Sequence, residues 1–231
     1  GDHRDLHSFP TRRSSDLGER WLERKGEAYH LTSEGRQILG RLQARSAAYL
    51  NASTLDWPEE KLNQLTNQIG RIINQSLVQK QSFDPWSLSH SRNRAPAEDA
   101  PFLQRLSQYC SDFNAFRDDA HMAAWGPLGL AGYEWECFAF VASGQAEDAI
   151  SVYAKLFYRG YAQEEFQAAL DNLLDRDWLS FIQNKYALTS KGQAIFNGVE
   201  ARTDEYFYAP RSEEHTSELQ SRSDIVCRLL L

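Results

Sequence analysis

One short pattern occurs twice in this 231-residue chain, at a single offset of 157 residues. Near the start, Trp21-Leu22 is followed by the polar run Arg24-Lys25-Gly26-Glu27 and then by Tyr29-His30-Leu31-Thr32-Ser33-Glu34-Gly35-Arg36. Near the end, Trp178-Leu179 is followed by Gln183-Asn184-Lys185 and then by Tyr186-Ala187-Leu188-Thr189-Ser190-Lys191-Gly192-Gln193. Trp21 aligns with Trp178, Tyr29 with Tyr186, Leu31 with Leu188 and Gly35 with Gly192. A fixed-offset repeat marks one supersecondary unit present twice. The alternation in Trp-Leu and Tyr-x-Leu predicts two short strands, and the polar residues between them predict a hairpin turn. Thr32 and Thr189 stand where a helix N-cap belongs, because a hydroxyl there satisfies an orphan backbone N–H. A helix is expected after each, through Gln37-Ile38-Leu39 to Ala47 and through Ala194-Ile195-Phe196 to Phe207.

A hairpin followed by an N-capped helix is the wing end of a winged helix. The second copy supplies the rest of that unit. Tyr133–Ala142 is predicted to be an aromatic helix broken by Gly144. Ala146–Phe157 is predicted as a second helix, with Ala149, Ile150, Tyr153, Ala154 and Phe157 on one inward stripe. Gly160 ends it, and Gln163–Asp175 follows with Phe166, Ala169, Leu170, Leu173 and Leu174 inward. The first copy begins only at its wing. Between the copies, Pro58 marks a helix start with Pro just inside, and the helix is expected to run to Val78. Residues 79–100 are polar and rich in Pro, Ser and Arg, which predicts a loop, and Phe102–Trp125 returns to helix.

The expected fold class is therefore mostly α with small β-hairpin wings: two winged-helix units, the first truncated, joined by a helical middle. The expected boundaries are 18–52 for the first wing and its helix, 53–125 for the middle and 126–210 for the complete second unit. His7–Leu17 and Arg211–Ser221 read, residue for residue, as translations of the two common short-read sequencing adapters. Residues 1–17 and 211–231 are accordingly expected to be adapter-derived and are set aside from fold reasoning. The pair Arg12-Arg13 has no apolar run behind it, so it does not read as an export signal, and Leu229-Leu230-Leu231 is far too short to span a bilayer.

Within residues 18–210 there are 19 Lys and Arg against 25 Asp and Glu, a mildly acidic balance. It argues against a surface that coats nucleic acid, but leaves room for a local basic patch. All six tryptophans lie in this segment, enough bulk for a core. Cys110 and Cys137, without CxxC spacing, predict buried thiols rather than a zinc site or a disulfide framework. No signal or membrane-spanning segment is read, so a cytoplasmic protein is expected. No Gly-rich phosphate loop, HExxH, Gly-x-Ser-x-Gly or metal-ligand spacing is present, so no cofactor, metal or enzyme activity is expected.

Tyr29-x-Leu31-Thr32-x-x-Gly35-Arg36 resembles the wing signature of MarR-type transcription regulators. A wider resemblance covers Phe116 to Pro210. Phe116-Arg117-Asp118-Asp119-Ala120-His121-Met122-Ala123-Ala124, Gly129-Leu130-x-Gly132, Arg159-Gly160-Tyr161 and Glu200-Ala201-x-Thr203-Asp204 are similar to bacterial duplicated winged-helix proteins, called SalK-like or simply helix–turn–helix proteins. That resemblance implies a two-copy winged-helix fold and no settled activity.

Two sets of candidate site residues follow. Base reading needs Arg, Lys, Asn or Gln, with cations on phosphate. The third helix of the second copy carries Glu164, Glu165, Asp171, Asp175 and Asp177, and Arg176 is its one cation from Ala162 to Asp177. The first copy instead carries Arg20, Arg24, Lys25, Arg36, Arg41 and Arg45. If double-stranded DNA is the partner, contact is expected through that copy, with Arg24, Lys25 and Arg36 as the wing residues; the other reading is an ordinary solvated face. The second set is Arg117, Asp118, Asp119 and His121; Arg117 and His121 are four apart and Asp118 and His121 three apart, so helical spacing gives these a shared face. It reads as a site for an anionic small-molecule effector, as a group able to run acid–base chemistry, or as a buried polar clamp between the two copies. The two functional readings are thus a MarR-like regulator and a ligand-binding or protein-interaction module built from paired winged helices. The long helix from Pro58 to Val78 offers a homodimer interface.

Overall fold

The computed structural model describes residues 20–26, 28–78 and 82–211. The adapter-like residues 7–17 and 212–221 lie outside them. Among the described residues, eight α-helices accompany two separate two-stranded antiparallel sheets. The first hairpin pairs β1 (Leu22–Lys25) with β2 (Ala28–Leu31) and leads into α1 (Ser33–Ala52). Then come α2 (Glu59–Val78), α3 (Trp86–Arg92) and α4 (Phe102–Trp125). The second unit is α5 (Gly132–Ala142), α6 (Ala149–Leu156), α7 (Gln163–Asp175), β3 (Leu179–Ile182), β4 (Lys185–Leu188) and α8 (Ser190–Tyr208). This is the mostly helical, hairpin-winged class expected from the sequence.

The two hairpins match atom for atom in what holds them. Leu22 pairs with Leu31, and Leu179 with Leu188. Arg20 and Asp177, at equivalent positions, both take φ of 60°. The Thr32 hydroxyl donates to the Arg20 carbonyl at 2.7 Å and accepts from the Gly35 N–H at 3.0 Å. The Thr189 hydroxyl donates to the Asp177 carbonyl at 2.7 Å and accepts from the Gly192 N–H at 2.9 Å. Each threonine thereby satisfies one orphan N–H of the helix it caps. The glycine three residues on is required for space rather than for φ. A Cβ on Gly35 would stand 2.1 Å from the Trp21 carbonyl oxygen, and one on Gly192 2.0 Å from that of Trp178.

By compactness the chain forms two units. One comprises residues up to Ala44 with Leu128–Gly198, the other Arg45–Pro127 with Val199 onward, so the boundaries fall inside α1 and α8. In the first, Phe138, Phe166, Leu170, Leu173 and Leu179 are essentially fully buried. Trp135 and Phe138 of α5 meet Phe196 of α8, and Phe138 also meets Trp178. Cys137 lies in this core, and burial pushes its thiol up to about 12, so it is an inert apolar group. Cys110 is half-buried, and its thiol is raised for the same reason. In the second unit, Ile69, Ile73, Leu88, Phe113, Phe116 and Phe207 form one apolar cluster.

Four expectations need correction. Residues 86–92, read as part of a polar loop 79–100, form α3. Seven residues are too few to hold a helix by propensity. Here Leu88 is fully buried, and the Asp119 carboxylate on α4 accepts from the Ser87 and Leu88 N–H groups at 2.8 and 2.9 Å, capping the helix from outside. Asp112, also on α4, takes the Ser91 hydroxyl at 2.7 Å and Arg92 at 2.8 Å. The second correction concerns α6. It starts at Ala149 rather than Ala146, because Asp148 caps it by accepting from the Ser151 N–H at 2.7 Å. Its inward stripe is Ala149, Val152 and Leu156, while Ile150, Tyr153 and Phe157 are exposed. On α7, Phe166, Ala169, Leu170 and Leu173 are buried as expected, and Leu174 is exposed. Finally, Pro58 stands just before α2 and not inside it, with its carbonyl accepting from the Leu62 N–H at 3.1 Å.

The glycine beneath each hairpin gives a direct test. Gly192→Ala should cost about 1–3 kcal/mol, as overpacking against an immobile backbone does. Gly198→Ala on the same helix has open space for its Cβ; it should be neutral or stabilise by up to about 1 kcal/mol. Urea unfolding followed by circular dichroism separates the two, and equal midpoints for Gly192→Ala and the parent would show that the close approach is absent.

Candidate functional site

Winged helices touch nucleic acid with the third helix and with the wing. In the second winged helix the third helix is α7, and four of its polar side chains are engaged within the protein. Glu165 accepts from the Ala162 N–H at 2.6 Å at the head of the helix. Asn172 donates to Glu134 at 2.7 Å. Gln167 donates to Asp171 and to the Tyr186 hydroxyl, and that hydroxyl donates to Asp171 at 2.8 Å. Arg176, just past the helix, donates to the Leu128 and Gly129 carbonyls at 2.9 and 3.2 Å and lies over the Trp178 ring. The one cation of this segment and two of its three amides, Gln167 and Asn172, are thus spent on packing.

The wings differ at their tips. In the second, Gln183 and Asn184 both take positive φ, the two-residue turn that suits a twisted hairpin. Phe181 and Ile182, before the turn, are exposed apolar side chains. The equivalent positions of the first wing are Arg24 and Lys25. Arg24 donates from Nε to the Gly26 carbonyl at 2.9 Å, which leaves the rest of the guanidinium at the exposed tip. Lys25 forms an exposed 2.8 Å pair with Glu23, whose carboxyl is held below its ordinary range by that ammonium. Arg36 stands at the foot of the wing and donates to the Leu31 carbonyl at 2.5 Å. The three residues therefore do not form one patch by contact: two are at the tip and one braces the base.

The second candidate set resolves differently from the sequence reading. Arg117 and His121 do share a face of α4, and what they face is α8. Arg117 pairs with Glu200 at 3.4 Å. His121 Nδ1 lies 3.1 Å from the Thr203 hydroxyl and 3.9 Å from Glu200. The Thr203 hydroxyl is buried and donates to the Val199 carbonyl at 2.8 Å. A hydroxyl has one proton to give, so Nδ1 is the donor toward Thr203. Asp118 is exposed, and the carboxylate facing His121 is Glu200 instead. Asp119 belongs to the cap of α3. Sequence reasoning does not single out Glu200 and Thr203 as site residues; their spacing of three on α8 is the available signal. Burial lowers the His121 pKa, Glu200 works against that, and Arg117 adds to it. The imidazole is therefore held neutral near pH 7, and the arrangement is a polar clamp between α4 and α8 with a titratable ring at its centre.

Among the described residues no group of three or more His, Cys, Asp or Glu could hold a metal ion, and no helix is long and apolar enough to cross a membrane.

Hairpin, capping threonine and three preceding helices together define a winged-helix protein. Residues 88–230 match a helix-turn-helix family, and the chain belongs to that family. No curated protein matches it. Solved structures with local likeness include a MarR family protein of Mycobacterium tuberculosis, at 18% identity over 58% of this chain and 96% of that one, with a TM-score of 0.39. The same protein in complex with p-aminosalicylic acid gives 16% identity, 54% and 97% coverage and a TM-score of 0.39. A MarR family transcriptional regulator from Rhodococcus sp. RHA1 gives 16%, 55%, 94% and 0.36. Superpositions at this level carry no structural argument.

A histidine with a lowered folded pKa contributes stability that is complete above its unfolded pKa and is lost as pH falls below it. Folding stability should therefore drop between about pH 7.5 and about pH 5, around the ordinary histidine value of about 6.5. His121→Gln should flatten that part of the profile. Urea denaturation across this range checks it, and an unchanged profile in the variant would remove the clamp as its source.

Proposed function

We propose that the chain is part of a MarR-like transcription regulator that contacts duplex DNA through its first wing. The observation that carries this reading is the exchange at equivalent wing-tip positions: Arg24 and Lys25 in the first copy, Phe181 and Ile182 in the second. A wing lies along the phosphate backbone, where a cation contributes through counterion release and an exposed phenyl ring does not. The internal engagement of Arg176, Gln167 and Asn172 supports the same division, since it leaves α7 with carboxylates as its exposed charge. Arg36 supports the wing from below through the Leu31 carbonyl. In this reading the two hairpin–helix units are copies of one domain that have diverged at the surface.

The second reading, a module that binds a small molecule or a protein without DNA, draws on the clamp. Arg117 and His121 offer nitrogen donors on one face of α4, and Arg117 and Glu200 are both partly exposed. Such a pair accepts an anionic ligand if Glu200 can be displaced from Arg117.

The two are separated by titrating the chain against labelled random-sequence duplex DNA by fluorescence anisotropy at two salt concentrations. Wing contact predicts binding that weakens steeply with salt. The Arg24→Ala, Lys25→Ala double variant should bind more weakly and lose about 1–2 from the slope of log K against log salt, given about 0.9 per phosphate contact. Phe181→Ser should change neither. Salt-insensitive binding, or a double variant equal to the parent, would overturn the wing reading.

A further inference from the structure

Two faces of the chain carry exposed apolar side chains, and the charges beside them are opposite. The first is the outward face of α7. Glu164, Asp171 and Asp175 fall at i, i+7 and i+11, one line along the helix, and all three are exposed. Leu174, three residues from Asp171 and 37% exposed, flanks that line. So does Phe181 of the second wing, 49% exposed. Its ring centroid lies 4.7 Å from that of Tyr186, whose hydroxyl bonds to Asp171. The helix itself contains no Lys or Arg, and Arg176 just beyond it is turned onto the Leu128 and Gly129 carbonyls. The second face is on α1. There Leu39 is 42% exposed, Leu42 62% and Tyr49 74%, on one stripe. Arg41 and Arg45, also exposed, stand one turn apart along its edge. Apolar side chains held on an exposed face and rimmed by charge mark a contact surface.

We propose that the α7 face of one chain docks on α1 of a second chain of the same kind. Charge complementarity selects this occupant. Asp171 and Asp175 are four residues apart, and so are Arg41 and Arg45. On two helices the carboxylates and the guanidiniums therefore repeat at the same interval, about 6 Å. Laid side by side, the two rows pair while Leu174 and Phe181 meet Leu39 and Leu42. Asp171 has an oxygen left for this, because Gln167 and the Tyr186 hydroxyl both bond to its Oδ1. Pairing α7 with a second α7 would oppose carboxylates, and pairing α1 with a second α1 would oppose guanidiniums; like charges set face to face weaken association. The contact is therefore heterologous, made by a different surface on each partner. Arg24 and Lys25 take no part in it, so the inference stands apart from DNA contact by the first wing and its test contains no DNA.

Sedimentation velocity over a concentration series reads the association. The parent chain should self-associate, and raising salt from about 0.05 to about 0.5 M should weaken this at least about threefold, because exposed charge pairs are screened. Leu42→Asp and Phe181→Asp, each checked for folding by circular dichroism, should both be monomeric alone. An equimolar mixture of the two should associate and stop at two chains, because each variant keeps the surface that the other has lost. If the wing does not tolerate Phe181→Asp, Asp175→Lys at an exposed helix position takes its place in the mixture. Ile182 is 64% exposed but lies on the opposite face of β3 from Phe181, so Ile182→Asp should associate as the parent does. A parent that stays monomeric at every concentration would overturn the proposal. So would Leu42→Asp associating as strongly as the parent. A mixture that stays monomeric would overturn it too, since like surfaces would then be the ones that pair.

Discussion

A single threonine hydroxyl at the foot of each wing decides where the following helix points. It accepts from the N–H three residues on and donates back to the carbonyl that precedes the tryptophan. The threonine's own N–H donates to the tryptophan carbonyl, at 3.0 Å from Thr32 and 3.1 Å from Thr189. With Gly35 or Gly192 as the only residue type that fits against that same carbonyl, hairpin and helix become one rigid piece. The position of Phe196 relative to Trp178 follows from this junction, and with it the notch that Trp135 and Phe138 of α5 fill. The junction is made entirely of local hydrogen bonds and one close backbone contact. It needs no buried side chain from elsewhere, which is why the first copy keeps the same geometry around a half-buried Trp21.

Locality also explains what could be read from the sequence. The hairpins and both capping threonines depend on residues within about fifteen positions of one another, and they are legible in the sequence. So is α7, whose apolar period is regular and whose ends are marked. The helix α3 was hidden because its determinants are distant: Asp112 and Asp119 lie some twenty to thirty residues further along. Read alone, Trp86–Arg92 is a polar stretch with one leucine. The phase of α6 was misjudged because Ile150 and Phe157 are strongly apolar and yet face solvent, while Asp148 fixes the helix start three residues later than the alanines suggest. The site shows the same limit. Helical spacing joined Arg117 to His121, but Glu200 is 79 residues beyond His121 in sequence, and no local pattern could choose it over Asp118.

The acidic α7 is better understood as a packing solution than as a repelled recognition helix. Glu165 caps it, Asp171 takes the Tyr186 hydroxyl that anchors the wing, and Glu134 on α5 holds Asn172. Arg176 closes the set by covering two carbonyls of the turn before α5 and the face of Trp178. Each of these ties a part of the second winged helix to another part. A helix committed this heavily to its own fold has few donors left for base edges, and hydrogen bonds to charged groups, at about 1.5–3 kcal/mol each, are costly to redirect.

The two hairpin–helix units therefore show which positions such a junction can change without losing its shape. Threonine, glycine, tryptophan and the paired leucines recur because the junction uses them. Wing-tip and outward helix positions are free of that constraint, and there the copies part: Arg24 and Lys25 against Phe181 and Ile182, Gln43 against Glu200, Ser46 against Thr203. The last two pairs are informative together. In α8 the carboxylate and the buried hydroxyl jointly hold His121, whereas in α1 the equivalent glutamine and serine are exposed. The clamp is thus built on α8 and not on α1, and the histidine at its centre, its pKa lowered by burial, belongs to that helix pair. A scaffold whose shape resides in a local junction leaves its outer surfaces free to differ in charge and in contacts from one unit to the other.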